Sequence, residues 1–152
     1  PSTVTGTLSA LTINPGNISA NTLDSTVTGN ATGYTYNDLT VTITLKDTWR
    51  NPVSGVNKSN IIVSGTGSPT IVQPASNTNA SGVASAVVIW PSAGSYTVSV
   101  TIGTVPLVQN DGVTLDADGI LDQTLSVTIS DNASKSTNIK GGTRIIGGSR
   151  IR

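Results

Sequence analysis

The sequence predicts an all-β protein, a sandwich or barrel of short strands, on three observations. Apolar and hydroxylated residues alternate with a period of two through most of the chain. Turn residues punctuate it at short intervals, as in Asn14-Pro15-Gly16, Arg50-Asn51-Pro52, Gly65-Thr66-Gly67-Ser68-Pro69 and Pro91-Ser92-Ala93-Gly94. The residues that usually build helices are scarce: Glu is absent, and Lys, Leu and Arg are few.

The clearest strand is 39–45, where Leu39, Val41, Ile43 and Leu45 alternate with threonines, the pattern of a half-buried antiparallel strand. The stretch 96–102 repeats it with Tyr96, Val98, Val100 and Ile102, and 125–129 gives a shorter copy with Leu125, Val127 and Ile129. β-Branched residues on both faces suit a pleated sheet. Further strands are predicted at 8–13, at 27–36 with interruptions at Gly29 and Gly33, and at 61–64, 70–73 and 83–90. No segment reads as a helix.

A chain of 152 residues is long enough for one domain with a real core and an appendage. Hydrophobic residues make up 36% of it and charged residues 11%, so hydroxyls and amides must carry its solubility; Ser and Thr together number 43. A net charge of +0 argues against a nucleic-acid partner, because phosphate binding needs a basic footprint. The chain has no His, no Cys and no Glu, which removes most side chains that perform acid, base or thiol chemistry near neutral pH. A serine nucleophile would need Lys46, Lys58, Lys135 or Lys140 as its base, and none sits in a recognisable nucleophile motif. The sequence therefore predicts a protein that is not an enzyme and holds no cofactor. No apolar run approaches the roughly 20 residues of a membrane span. Pro1-Ser2-Thr3 lacks the basic start and apolar stretch of a signal peptide, so an export signal is expected to have been cleaved or to lie outside the sequence.

Five short elements follow one another in order: Leu11 to Asn21 (LTINPGNISAN), Leu39 to Asp47 (LTVTITLKD), Asn51-Pro52-Val53-Ser54-Gly55, Ala80-Ser81-Gly82-Val83-Ala84 and Ala93 to Val98 (AGSYTV). The series resembles the bacterial Ig-like domain of the invasin and intimin repeats, in which a strand ending in Lys-Asp leads through a turn into Asn-Pro-Val-x-Gly. The resemblance covers about residues 8–104. It implies an Ig-like Greek-key β-sandwich on a cell surface or in an extracellular fibre, usually in tandem with siblings. Residues 22–38 depart from the pattern as an insertion, whose 27–34 core is expected to form an extra hairpin. The expected organisation is thus a sandwich at 1–104 and a C-terminal extension at 105–152, β-rich or extended, with a strand near 124–130 and a Gly-rich basic tail at 135–152.

Candidate contacts are aromatic. Trp49 lies at a predicted turn, and two roles are open to it: an exposed indole that stacks on a sugar or a neighbouring subunit, or a plug folded over the sandwich end. Tyr34 and Tyr36 alternate about Thr35 on the inserted segment, leaving one face aromatic, while Trp90 and Tyr96 are expected in the core or at its edge. Asp116, Asp118 and Asp122 crowd oxygen atoms into a short stretch. The missing Glu and the early Gly119 exclude a helix-flanked calcium loop, which leaves a loose Ca²⁺ site or a solvated turn.

Sequons at Asn17, Asn30, Asn57, Asn79 and Asn132 are candidate glycosylation sites, in the number that composition alone would give. In the tail, Ile139, Ile145, Ile146 and Ile151 are spaced by Gly and suit either a strand added to the open sheet edge of the next molecule or a linker. The first expectation for function is an extracellular or cell-surface structural or adhesion module, a spacer or fibre subunit with protein partners, copies of itself among them. The alternatives are a filament subunit joined by a terminal strand, and a module that binds cell-surface carbohydrate through exposed aromatics.

Overall fold

The computed structural model describes residues 14–103, 107–109 and 112–132; the predicted strand at 8–13 and the four isoleucines of the tail lie outside them. In chain order the strands are β1 (Ile18–Ser19), β2 (Thr26–Gly29), β3 (Thr32–Tyr34), β4 (Leu39–Thr44), β5 (Ile61–Gly65), β6 (Thr70–Val72), β7 (Val83–Ile89), β8 (Gly94–Ile102), β9 (Leu107–Val108) and β10 (Leu125–Ser130). Among the described residues there is no α-helix, only one 3₁₀ turn at Lys58–Asn60.

Two four-stranded sheets face each other. One is ordered β2-β4-β7-β6 and the other β3-β10-β8-β5, while β1 and β9 pair separately. All pairs are antiparallel except β1 with β9 and β3 with β10. With β2 and β3 counted as two halves of one first strand, the sheets hold strands A, B, E, D and C, F, G, which is the immunoglobulin arrangement.

Period two places the core. Val41 and Ile43 of β4 oppose Ala86 and Ala84 of β7, and all four are buried. From the second sheet Ile61, Val63, Val98, Val100, Val127 and Ile129 close against them. Each such side chain stabilises the fold by about 1.5 to 3 kcal/mol relative to exposure. Trp90 fills one end: it has no exposed surface, its indole N–H donates to the Thr66 carbonyl at 2.9 Å, and its ring stacks on Tyr96 with centroids 5.3 Å apart. The Tyr96 hydroxyl donates back to the Ser92 carbonyl at 3.1 Å, a tie characteristic of this strand in immunoglobulin sandwiches.

Two expectations are corrected here. The segment 27–34 is not an inserted hairpin, because β2 pairs with β4 in one sheet and β3 with β10 in the other. Gly29 makes the crossing: a Cβ there would stand 2.8 Å from the Thr40 carbonyl oxygen and 2.9 Å from Leu125 Cδ2, so only a bare backbone can pass between the sheets. The second correction is the boundary at residue 104. β10 lies beyond it, yet it sits between β8 and β3 and delivers Val127 and Ile129 to the shared core. The resemblance stopped short of a strand that the alternation itself had marked. β1 and β9, two residues each, are too short to leave a periodic signal.

Strand direction defines two poles. β4 starts beside Tyr36 and ends beside Trp49, and the nine residues of β8 span about 30 Å between the same ends. The first described residues lie at the Trp49 pole, where the Gly16 N–H donates to Asp47 and the Ser19 N–H to the Lys46 carbonyl. The last described residues lie at the Tyr34 pole, where the Asn132 N–H donates to Thr35 Oγ1.

One sheet edge is closed by a side chain. The Gln73 amide accepts from the Val63 N–H and donates to the Val63 carbonyl, both at 2.8 Å, so it occupies the outer edge of β5 as a neighbouring strand would.

Candidate functional site

The Trp49 pole is organised around Asp47. Its carboxylate, fully buried, accepts from the backbone N–H groups of Gly16 (2.9 Å), Trp49 (2.9 Å) and Asn51 (2.8 Å) and from Asn51 Nδ2 (3.0 Å). Burial alone would push this carboxyl up, but the four donors outweigh it and hold it below its ordinary value. The turn they tie puts Arg50 at a φ of 67°, unusual for a residue with a Cβ. Arg50 Nε reaches the buried Asp24 at 3.6 Å, and Asp24 also accepts from the Ser19 hydroxyl at 2.9 Å. Trp49 itself is 73% exposed, with its ring edge against Gly16. Trp49 therefore does not plug the sandwich end. Val113 and Leu115, also exposed, lie on the loop whose Gly112 abuts Thr48.

The opposite pole carries a cavity of about 530 Å³. It lies at the corner where the chain leaves β2 for β3. Leu39, at the start of β4, has no β2 partner, because that pairing stops at Gly29 opposite Val41. Gly33, Leu39 and Ile129 line its inner part, and a Cβ at Gly33 would come within 3.1 Å of Ile129 Cδ1. Tyr34, Asn30, Asn37 and Asp38 line its polar part. Tyr34 and Tyr36 are both exposed and Thr35 between them is buried, as the alternation predicts, but only Tyr34 faces the cavity. The structure therefore separates the aromatic candidates: Tyr34 and Tyr36 at one pole, Trp49 at the other.

Solved structures of similar shape include one described as an adhesin and one described as an integrin-binding protein. The chain matches the Yersinia pseudotuberculosis adhesin InvE at a TM-score of 0.56 and 20% identity, over 76% of this chain and 28% of that one. It matches invasin, described as a bacterial integrin-binding protein, at 0.55 and 22%, over 77% of this chain and 20% of that one. It matches Yersinia pseudotuberculosis InvD at 0.52 and 23%, over 72% of this chain and 28% of that one. The fold is that of a bacterial Ig-like domain of the invasin type. The chain spans less than a third of each of those proteins. No family model matches the sequence, and no curated protein does either.

Within this Ig-like domain the short motifs of the sequence are joints. The Leu45 N–H donates to the Gly82 carbonyl at 2.8 Å, and the Val53 N–H donates to the Leu45 carbonyl at 2.9 Å. Asn51-Pro52-Val53 and Ser81-Gly82 thus converge on the last residues of the strand that ends in Lys46-Asp47.

The acidic stretch serves its own backbone. Asp116 Oδ1 accepts from the Asp118 N–H at 3.3 Å and Asp118 Oδ1 from the Ile120 N–H at 2.8 Å. Burial, with Asp118 and Asp122 nearby, pushes Asp116 up. Among the described residues, no group of three or more carboxylates is placed to hold a metal ion. Asn17, Asn30, Asn57 and Asn79 are exposed. Asn132 is half-buried and donates from Nδ2 to Asn37 Oδ1 at 3.3 Å. Among the described residues, no helix is long and apolar enough to cross a membrane.

The sequence reasoning missed Asp47 as an organising group and missed Gly33, Asn37 and Asp38 as cavity residues. The signal for the second was present: two glycines interrupting one predicted strand mark a place where another part of the chain passes close.

Proposed function

We propose that this Ig-like domain is a non-catalytic structural or adhesion module of an extracellular or cell-surface protein, a spacer that carries tension along its length and meets protein partners at its exposed pole. The observation behind this is the path of the described chain, which begins beside Asp47 and ends beside Thr35 at the far pole. Tension along that path pulls β3 and β10 past one another. They are parallel neighbours, Thr32 to Tyr34 beside Thr128 to Ser130, so their hydrogen bonds resist together in shear instead of opening one at a time. The lack of His, Cys and Glu supports a role without chemistry, and the shape shared with adhesins, one described as integrin-binding, supports protein partners.

Pulling the full chain by its two ends in a single-molecule force experiment tests this. The expected record is one abrupt rupture releasing roughly 400 Å of chain. Gradual extension without a barrier would contradict the proposal.

A further inference from the structure

We infer that the cavity at the Tyr34 pole is a binding site for a neutral saccharide of one or two rings. The inference does not depend on the mechanical proposal, since a spacer can carry the cavity empty and a non-spacer can fill it. About 530 Å³ lies within the ordinary range for small-ligand pockets, roughly 300 to 1,000 Å³.

The site is a consequence of the fold. The first strand changes sheets at Gly29, so Leu39 has β7 on one side, opposite Val88, and no β2 partner on the other, and Gly33, lacking a side chain, lets β3 pass close to Ile129 and Leu39 at the cavity wall. Leu39 and Ile129, almost wholly buried, close the base of the cavity, and Tyr34, 55% exposed, offers a ring. Asn30, Asn37, Thr32 and Ser130 supply amides and hydroxyls. Such groups both donate and accept, which matches the hydroxyls around a sugar ring, whose C–H face suits the apolar surface and the phenol.

Charge narrows the class. Asp38 is the one charged residue among the described residues that line the cavity. A carboxylate accepts from sugar hydroxyls but repels sialic acids, uronic acids and sugar phosphates. Anionic sugars are therefore disfavoured, and a neutral saccharide matches the uncharged amides and hydroxyls that make up the rest of the polar lining.

Full-length protein produced without glycosylation, so that Asn30 is bare, is titrated with cellobiose, maltose, lactose, N,N′-diacetylchitobiose and sialyllactose while amide and side-chain NMR signals are followed. At least one neutral disaccharide at millimolar concentration is expected to shift Gly33, Tyr34, Asn37 and Asp38 and to leave the Trp49 indole unmoved. Tyr34→Ala is expected to weaken that binding about tenfold, as loss of one ring contact implies, and Asp38→Ala to weaken it several-fold. Both positions are exposed, and thermal melts of the two variants confirm that they fold. The inference is overturned if no neutral sugar shifts these residues, if the shifts cluster at Trp49, if Tyr34→Ala binds as well as the parent, or if sialyllactose binds more tightly than lactose.

Discussion

Asp47 shows how one buried carboxylate can shape a surface. Four N–H groups converge on it from Gly16, Trp49 and Asn51, so the arriving chain, the turn and the start of the next segment are held by one side chain. Asp47→Ala leaves those donors without their acceptor and is expected to cost about 2 to 4 kcal/mol in denaturant unfolding. The pH dependence follows from its lowered folded-state value. The contribution of Asp47 is fully present above its ordinary value of 3.8 and is lost as the pH falls through the lower value of the folded state. Asp116 is raised, so its charge opposes folding near neutrality, and that penalty fades in acid. With no His, stability is expected to be flat between pH 6 and 8. A loss in Asp47→Ala below about 1 kcal/mol would show that water replaces the carboxylate. The sequence revealed Trp49 as a contact candidate because an indole is out of place in a polar turn. It could not reveal Asp47, because an acid in a turn reads as solvated unless the approach of Gly16, distant in sequence, is known.

Among the elements, β4, β7, β8 and β10 were legible because each alternates long enough to declare which face is buried. The path between β2 and β3 was not, since a change of sheet leaves no periodic signature and is carried by one close backbone approach at Gly29. The joints are equally local. Gly55 and Gly82 have nearly the same backbone, with φ of 76° and 73°, but their surroundings differ. A Cβ at Gly55 meets nothing within 4 Å, whereas one at Gly82 runs into the Leu45 carbonyl. Gly55→Ala is expected to cost about 1 to 2 kcal/mol, the left-handed penalty alone, and Gly82→Ala clearly more, because it also breaks the joint that receives Leu45. Thermal melts of the two variants compare them directly, and equal losses would mean that the packing at Gly82 does not matter.

At the scale of the molecule, what matters is where the chain enters and leaves. The resemblance covers residues up to about 104, but the second sheet needs β10, and β10 carries the chain to the pole opposite the one where the described residues begin. The proposed spacer role rests on that path, with the exposed Trp49 at one pole and the cavity beside Tyr34 at the other. The fold class was legible from alternation and turn chemistry. The cavity was not, because it depends on where β2 stops alongside β4, and pairing is a property of the sheet and not of any one strand.

The account stands on β10 being an interior strand of a single sandwich. Native-state hydrogen exchange measures this: the amides of Val127, Thr128 and Ile129 are expected to exchange only through global unfolding, with the same free energy as those of Val98 and Val100. Exchange of the β10 amides many-fold faster, while β8 stays protected, would mean that the strand is an appendage and would contradict the account.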